Sequence, residues 1–177
     1  MKKEKRFQII QLYSNGDCLY ATTVARQLKN DFPDCHITWI IEENCKTILQ
    51  NNPHVDVVAP IVVKDKKQTE QIIAGLKEKA AALVAAGELD EFFVTHISGD
   101  NYARYDGAVR SSILRNFPYP ITVDTTPVVV LDEAEKEAAR LFAEKYRLSQ
   151  YSHVILYECA PLSGQLTMTD ADIAALA

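Results

Sequence analysis

The sequence predicts an α/β fold, a parallel sheet with helices packed on both of its faces. Three observations carry this. Short apolar runs rich in β-formers alternate with segments whose apolar residues recur at helical spacing, in a βαβαβαβα order. The first run, Ile9-Ile10-Gln11-Leu12-Tyr13, passes through Ser14-Asn15-Gly16-Asp17 directly into a helix. This places a glycine and a carboxylate at the carboxyl edge of a sheet, where open α/β folds bind ligands. The composition, 47% hydrophobic and 24% charged over 177 residues, is that of a globular chain able to fill one sizeable core.

The elements follow in order. Phe7 to Tyr13 reads as a buried strand. Ala21, Val24, Ala25, Leu28 and Phe32 then fall on one helical face, and Pro33 ends that helix because proline cannot continue it. His36 to Ile41 is the second strand. A short helix is expected over Asn44 to Gln50, broken by Pro53, and the third strand over Val55 to Val63. Lys66 to Ala86 carries an apolar stripe of Ile72, Ile73, Leu76, Ala80 and Leu83, with Gly87 suited to its C-terminal cap. Phe92 to Ile97 is the fourth strand. The polar turn Ser98-Gly99-Asp100-Asn101 precedes a helix around Arg104 to Asn116. Residues 121–131 hold two β-rich runs, Ile121-Thr122-Val123 and Val128-Val129-Val130. From Asp132, an N-cap type, a helix with both charge signs on a solvated face reaches Tyr146. A strand over His153 to Tyr157 and a turn at Pro161 to Gln165 lead to a final helical start at Asp170. That last strand–turn–helix reads as the beginning of a second sheet. The expected division is an N-terminal domain over 1–125, then a linker helix and an incomplete second domain over 126–177.

Charge and cysteines exclude several classes. A formal charge of −5 argues against a nucleic-acid surface. The basic start Met1 to Arg6 lacks a following apolar stretch, so neither a signal peptide nor a membrane span is read. Cys18, Cys35, Cys45 and Cys159 match no zinc spacing and form no C-x-x-C; they read as free thiols, with Cys45 in a polar and exposed stretch.

The candidate site residues cluster at strand ends. Asp17 is either an N-cap acid or a carboxylate base. Gly16 permits an unusual backbone angle, and Ser14 and Asn15 serve either ligand or turn. His96, Asp100 and Asn101 end the fourth strand on the same ligand edge. His36, His54 and His153 lack ligand-type neighbours and read as structural. Trp39 reads as core, while Tyr102 and Tyr105 are the candidates for stacking on a sugar. Asp170 and Asp172 have the spacing of a metal-binding pair but sit at a helix start, where acids favour the dipole.

The run Ile9 to Asp17 resembles the N-terminal signature of the family 9 glycosyltransferases, which include the lipopolysaccharide heptosyltransferases. The resemblance continues through Ala21 to Lys29, through Phe32-Pro33-Asp34 with Ile37 to Glu42, and through Asn51-Asn52-Pro53-His54-Val55-Asp56-Val57-Val58. It implies a Rossmann-like parallel sheet forming the N-terminal, acceptor-binding half of a GT-B architecture. It implies Asp17 as the general base of an inverting transfer, with Ser14, Asn15, Gly16, His96, Asp100 and Asn101 on the acceptor. His153 to Leu166 resembles the first strand and donor loop of the second domain, which makes Ser163, Gly164 and Gln165 donor contacts. The family's usual basic residue after that loop is absent; Gln165 or Thr167 stands there.

The function so implied is transfer of a sugar from a nucleotide-sugar to a bacterial surface glycan or lipopolysaccharide acceptor. No metal or other cofactor is expected. The setting is the cytoplasm, with peripheral association at the inner face of the membrane and homodimer formation both compatible. Holding only the start of a donor domain, the chain is not expected to turn over by itself. The rival reading is a non-catalytic ligand-binding or self-associating module. A dinucleotide-binding oxidoreductase is disfavoured because Gly16 stands without the rest of G-x-G-x-x-G. A receiver-type signalling domain is disfavoured because neither its acidic pair nor its phosphorylatable aspartate stands out.

Overall fold

In a computed structural model, residues 4–155 are described. Four parallel strands, β1 (Arg6–Ile10), β2 (His36–Glu42), β3 (Val57–Ile61) and β4 (Glu91–Val94), form one sheet in the order β3-β2-β1-β4. Phe7 lies opposite both Ile37 and Glu91, so β1 is central and hydrogen-bonded on both sides. The chain winds outward from β1 to β3 and then returns to place β4 on the other side of β1. Open α/β sheets bind ligands at such a reversal of strand order, in the crevice beyond the carboxyl ends of the strands, here those of β1 and β4.

The period-2 alternation of the strands assigns each residue to a face. Phe7, Ile9, Ile37, Trp39, Ile41 and Phe93 point to one side. There they meet Cys18, Ala21, Val24, Ala25 and Leu28 of helix α1 (Asn15–Asp31) and Ile113 of helix α3 (Val109–Arg115). Ile10 and Leu12 point to the other side, against Ile73 of helix α2 (Thr69–Ala85). β1 is therefore buried on both faces, and each fully buried isoleucine contributes about 1.5–3 kcal/mol. Trp39 is fully buried, its Nε1–H donating to the Gln11 carbonyl at 3.2 Å.

α2 stops in a Schellman motif. Gly87 takes φ +71°, its N–H donates to the Val84 carbonyl, and the Glu88 N–H donates to the Leu83 carbonyl. Gly16, by contrast, has no positive φ, because it already lies in the first turn of α1, so the unusual angle expected of it is not there.

Several expectations change. The polar turn expected at Ser98 to Asn101 is the start of a 3-10 helix, Gly99–Arg104, and the helix expected around Arg104 to Asn116 is the shorter α3. Cys45 is buried, not exposed: the 3-10 helix Glu43–Leu49 turns Cys45 and Leu49 inward together. The β-rich runs within 121–131 form no strand, because their backbone groups bond to α1 side chains. Gln27 Oε1 accepts from the N–H groups of Thr122 at 2.7 Å and Val123 at 3.1 Å. Thr22 Oγ1 accepts from the Val128 N–H at 3.1 Å, and Arg26 donates to the Asp124 carbonyl. Residues 151–155 form no strand, and the rest of the His153 to Tyr157 run lies outside the described residues.

The chain divides into two compact units at Asp132/Glu133. The second contains helix α4 (Glu133–Lys145), whose Arg140 pairs with Glu137 and Glu144 along one exposed face. Among the described residues no helix is long and apolar enough to cross a membrane.

Candidate functional site

Beyond Ile10 the chain leaves the sheet through Gln11, Leu12 and Tyr13 and enters α1 with Ser14 as N-cap. Asp17, in the first turn, is half-buried, and its Oδ2 accepts from the Ser14 N–H at 3.3 Å. This is the reach-back half of a capping box. No other hydrogen bond holds the carboxylate among the described residues. Burial raises its pKa above the ordinary aspartate value, and the Ser14 N–H partly opposes that shift. Ser14, Asn15 and Gly16 are exposed beside it. A Cβ on Gly16 would meet nothing within 4 Å, so neither packing nor backbone angle requires a glycine there.

Behind this turn lies a buried polar chain. The Asn116 amide donates to the Thr95 carbonyl at 3.3 Å, and the Thr95 hydroxyl donates to Gln11 Oε1 at 2.9 Å. Gln11 Nε2 donates to the Tyr13 carbonyl at 3.0 Å and lies 3.2 Å from His96 Nδ1. A carbonyl can only accept, so the Gln11 amide nitrogen must face Tyr13 and therefore also His96. His96 Nδ1 is then an acceptor, and its proton sits on Nε2. Burial lowers the pKa of His96 to about 4, against a hydrogen bond with the Tyr13 backbone that acts the other way. The imidazole is neutral at ordinary pH. Its ring meets Tyr13 edge-on, with centroids 4.8 Å apart. The Tyr13 hydroxyl bonds the Thr69 hydroxyl at the start of α2, and the Lys66 ammonium stands 4.9 Å from the Tyr13 ring centroid.

The fold thus brings Ser14, Asn15, Gly16, Asp17 and His96 to one edge. Asn101 comes to it as a support, its amide donating to the Val94 and His96 carbonyls at 2.8 and 3.0 Å. Asp100 is almost fully exposed and lies 3.8 Å from the Lys77 ammonium on α2. Tyr102 and Tyr105 are exposed, with ring centroids 5.8 Å apart. Ser163, Gly164 and Gln165 lie outside the described residues. Among those described, no group of three or more His, Cys, Asp or Glu side chains is placed to hold a metal ion. Sequence reasoning missed Gln11, Thr95, Tyr13 and Lys66. The signal available was polar Gln11 inside an otherwise apolar strand exit.

No family model matches the chain. Lipopolysaccharide heptosyltransferase 1 of Campylobacter coli is 26% identical over 117 residues, 63% of this chain and 34% of that protein. The crystal structure of a family 9 glycosyl transferase from Veillonella parvula superposes over 82% of this chain and 51% of that one, with a TM-score of 0.56 at 20% identity. The chain has a family 9 glycosyltransferase-like fold. An E. coli ADP-heptose lipopolysaccharide heptosyltransferase II structure aligns over 80% of this chain and 50% of that one, at 14% identity and a TM-score of 0.43. The chain spans from a third to a half of the length of these proteins. The four-stranded parallel sheet with helices on both faces is the Rossmann-like layer of this heptosyltransferase-like, GT-B fold.

Proposed function

We propose that this chain is the acceptor-side part of a heptosyltransferase-like glycosyltransferase, with Asp17 as its general base. The observation that carries the reading is the setting of Asp17. It is a half-buried carboxylate at the crevice beyond β1 and β4, with a raised pKa and a single backbone donor. Transfer with inversion needs a base that removes the acceptor hydroxyl proton as the oxygen attacks the anomeric carbon. The nucleotide diphosphate leaves from the opposite side of that carbon, and its charge must be met on departure. A carboxylate of raised pKa is the stronger base once ionised. Open space over Gly16 leaves the first-turn amides of α1 free to approach the acceptor.

In this reading Ser14, Asn15 and Gly16 border the acceptor, and Tyr102 and Tyr105 offer faces to a sugar. Lys66 supplies positive charge beside the crevice, suited to an anionic acceptor such as a bacterial surface glycan or lipopolysaccharide core. Neutral His96 fixes Tyr13 and does not exchange protons with substrate. The donor is a nucleotide-sugar, contacted by Ser163, Gly164 and Gln165, and the transfer uses no metal or other cofactor. The protein works in the cytoplasm, meeting a lipid-linked acceptor at the inner face of the membrane as a peripheral protein, alone or as a homodimer.

The test is a transfer assay on the longest natural chain that carries these residues. A heptose nucleotide is the first donor, heptose being the sugar in the Campylobacter relative's name. Asp17→Asn is expected to lower kcat about 10²–10⁴-fold while leaving acceptor binding within a few-fold. Full activity in that variant removes the base assignment. Acceptor binding without any turnover in the unaltered protein favours the non-catalytic module.

A further inference from the structure

At the opposite edge of the sheet, where β1 and β4 begin, lies a cavity of about 550 Å³. That volume is within the range of small-molecule sites. Its walls are aromatic. Phe93 stands with ring centroids 5.0 Å from Phe117, 6.0 Å from Phe7 and 6.1 Å from Tyr119, and the rings are tilted or edge-on to one another. Phe7, Phe93 and Phe117 are buried and form the floor, and Phe32 and Tyr119 are the exposed rings that face an occupant.

The rim is acidic. Asp90 is neutralised by Lys5 at 2.8 Å. Asp31 and Glu91 are not neutralised. Asp31 accepts from the amides of Gln27, at 2.8 and 2.9 Å, and of Asn30. Glu91 accepts from the Tyr119 hydroxyl at 2.8 and 2.9 Å. All of these donors are neutral, and no cation lies within ion-pair distance of either carboxylate among the described residues. The cavity also receives the last turn of α1, whose final residue is Asp31. The C-terminal end of a helix carries partial negative charge, which favours a cation.

We propose that this cavity is a binding site for a small organic ammonium ion with an aromatic or alkyl body. The body lies against the exposed rings of Phe32 and Tyr119, over the buried Phe7, Phe93 and Phe117, and the ammonium group meets Asp31 and Glu91 at the rim. Ring faces attract a cation in addition to burying its hydrocarbon, and the two carboxylates select its sign. A neutral isostere keeps only the hydrocarbon contact, and an anionic one meets repulsion. The site is separate from the crevice at Asp17 and does not depend on the transferase reading.

The test titrates the 177-residue chain with 2-phenylethylammonium, 2-phenylethanol and 3-phenylpropionate, reading affinity and the aromatic ring resonances by NMR. The ammonium ion is expected to bind about tenfold or more tighter than the alcohol, the carboxylate more weakly than either, with the largest shifts on Phe32 and Tyr119. Adding salt should narrow the gap between ammonium and alcohol. The double variant Asp31→Asn, Glu91→Gln should lose about tenfold in ammonium affinity and keep the alcohol affinity, which also shows that the cavity is intact. Equal affinity for ammonium and alcohol, an unaltered ammonium affinity in the double variant, or no ammonium binding up to about 10 mM would overturn the proposal. Shifts confined to other residues would do the same.

Discussion

Asp17 and His96 stand at the same crevice, and burial pushes both toward their neutral forms with opposite chemical results. For Asp17 the pKa rises, so the acid limb of kcat/KM for the transfer should lie above the ordinary aspartate range near 3.8. A pH–rate profile of the active protein checks this; a limb at or below that range would separate the limb from Asp17. For His96 the pKa falls from 6.5 to about 4. The unfolded chain takes up the proton first on acidification, so between about pH 6.5 and 4 stability falls as pH falls, by about 3 kcal/mol in all. Urea unfolding of the native chain and of His96→Asn across that window should show the slope in the first and its loss in the second. Gln11 makes the assignment of the imidazole proton possible. It is a polar residue in an apolar run, legible in the sequence as an interruption, but of its three side-chain partners Tyr13 is two residues on while Thr95 and His96 are 84 and 85 residues away. No local pattern announces that Thr95 and His96 will close on it.

At the scale of elements, the two glycines that flank helices behave differently. Gly87→Ala forces a side chain into φ +71° and should cost about 1–2 kcal/mol in thermal or urea unfolding. Gly16→Ala meets open space without a positive φ, so it should stabilise the fold by about 0.5–1 kcal/mol. It should also weaken acceptor binding if the space over α1 is where the acceptor sits. A stability gain paired with unchanged acceptor affinity would remove Gly16 from the site. The segment 121–128 shows how tertiary context overrides a β-rich sequence. Gln27, buried on α1, takes the backbone N–H groups of Thr122 and Val123 that a sheet would have taken. Gln27→Leu should orphan both and cost about 2–4 kcal/mol, with faster amide exchange at Thr122 and Val123 than at β1. Gln27 lies outside the apolar stripe of Ala21, Val24, Ala25, Leu28 and Phe32. Its burial depends on a segment nearly a hundred residues later.

For the whole molecule, the sheet order β3-β2-β1-β4 gives its two edges opposite preferences. α1 starts at the edge where β1 ends, and the same helix finishes at the edge where β1 begins. Donor amides therefore border the crevice at Asp17, while the aromatic cavity lies at a helix end that favours cations. The unit boundary at Asp132/Glu133 predicts that residues 1–132, which contain both sites, unfold cooperatively when produced alone. Loss of a single cooperative transition in calorimetry would show that the first unit needs the second. Residue order alone is enough to read the α/β class, the order of the strands along the chain, the burial of β1 and Trp39, and the carboxylate in the first turn of α1. These are local matters of periodicity, turn chemistry and apolar run length, and they survive any arrangement of neighbours. The neutral state and tautomer of His96, the burial of Cys45, the capture of 121–128 by α1, and the pairing of uncompensated carboxylates with an aromatic nest emerge only in the folded arrangement. Each depends on groups distant in sequence meeting in space, because burial and charge compensation are properties of what surrounds a residue.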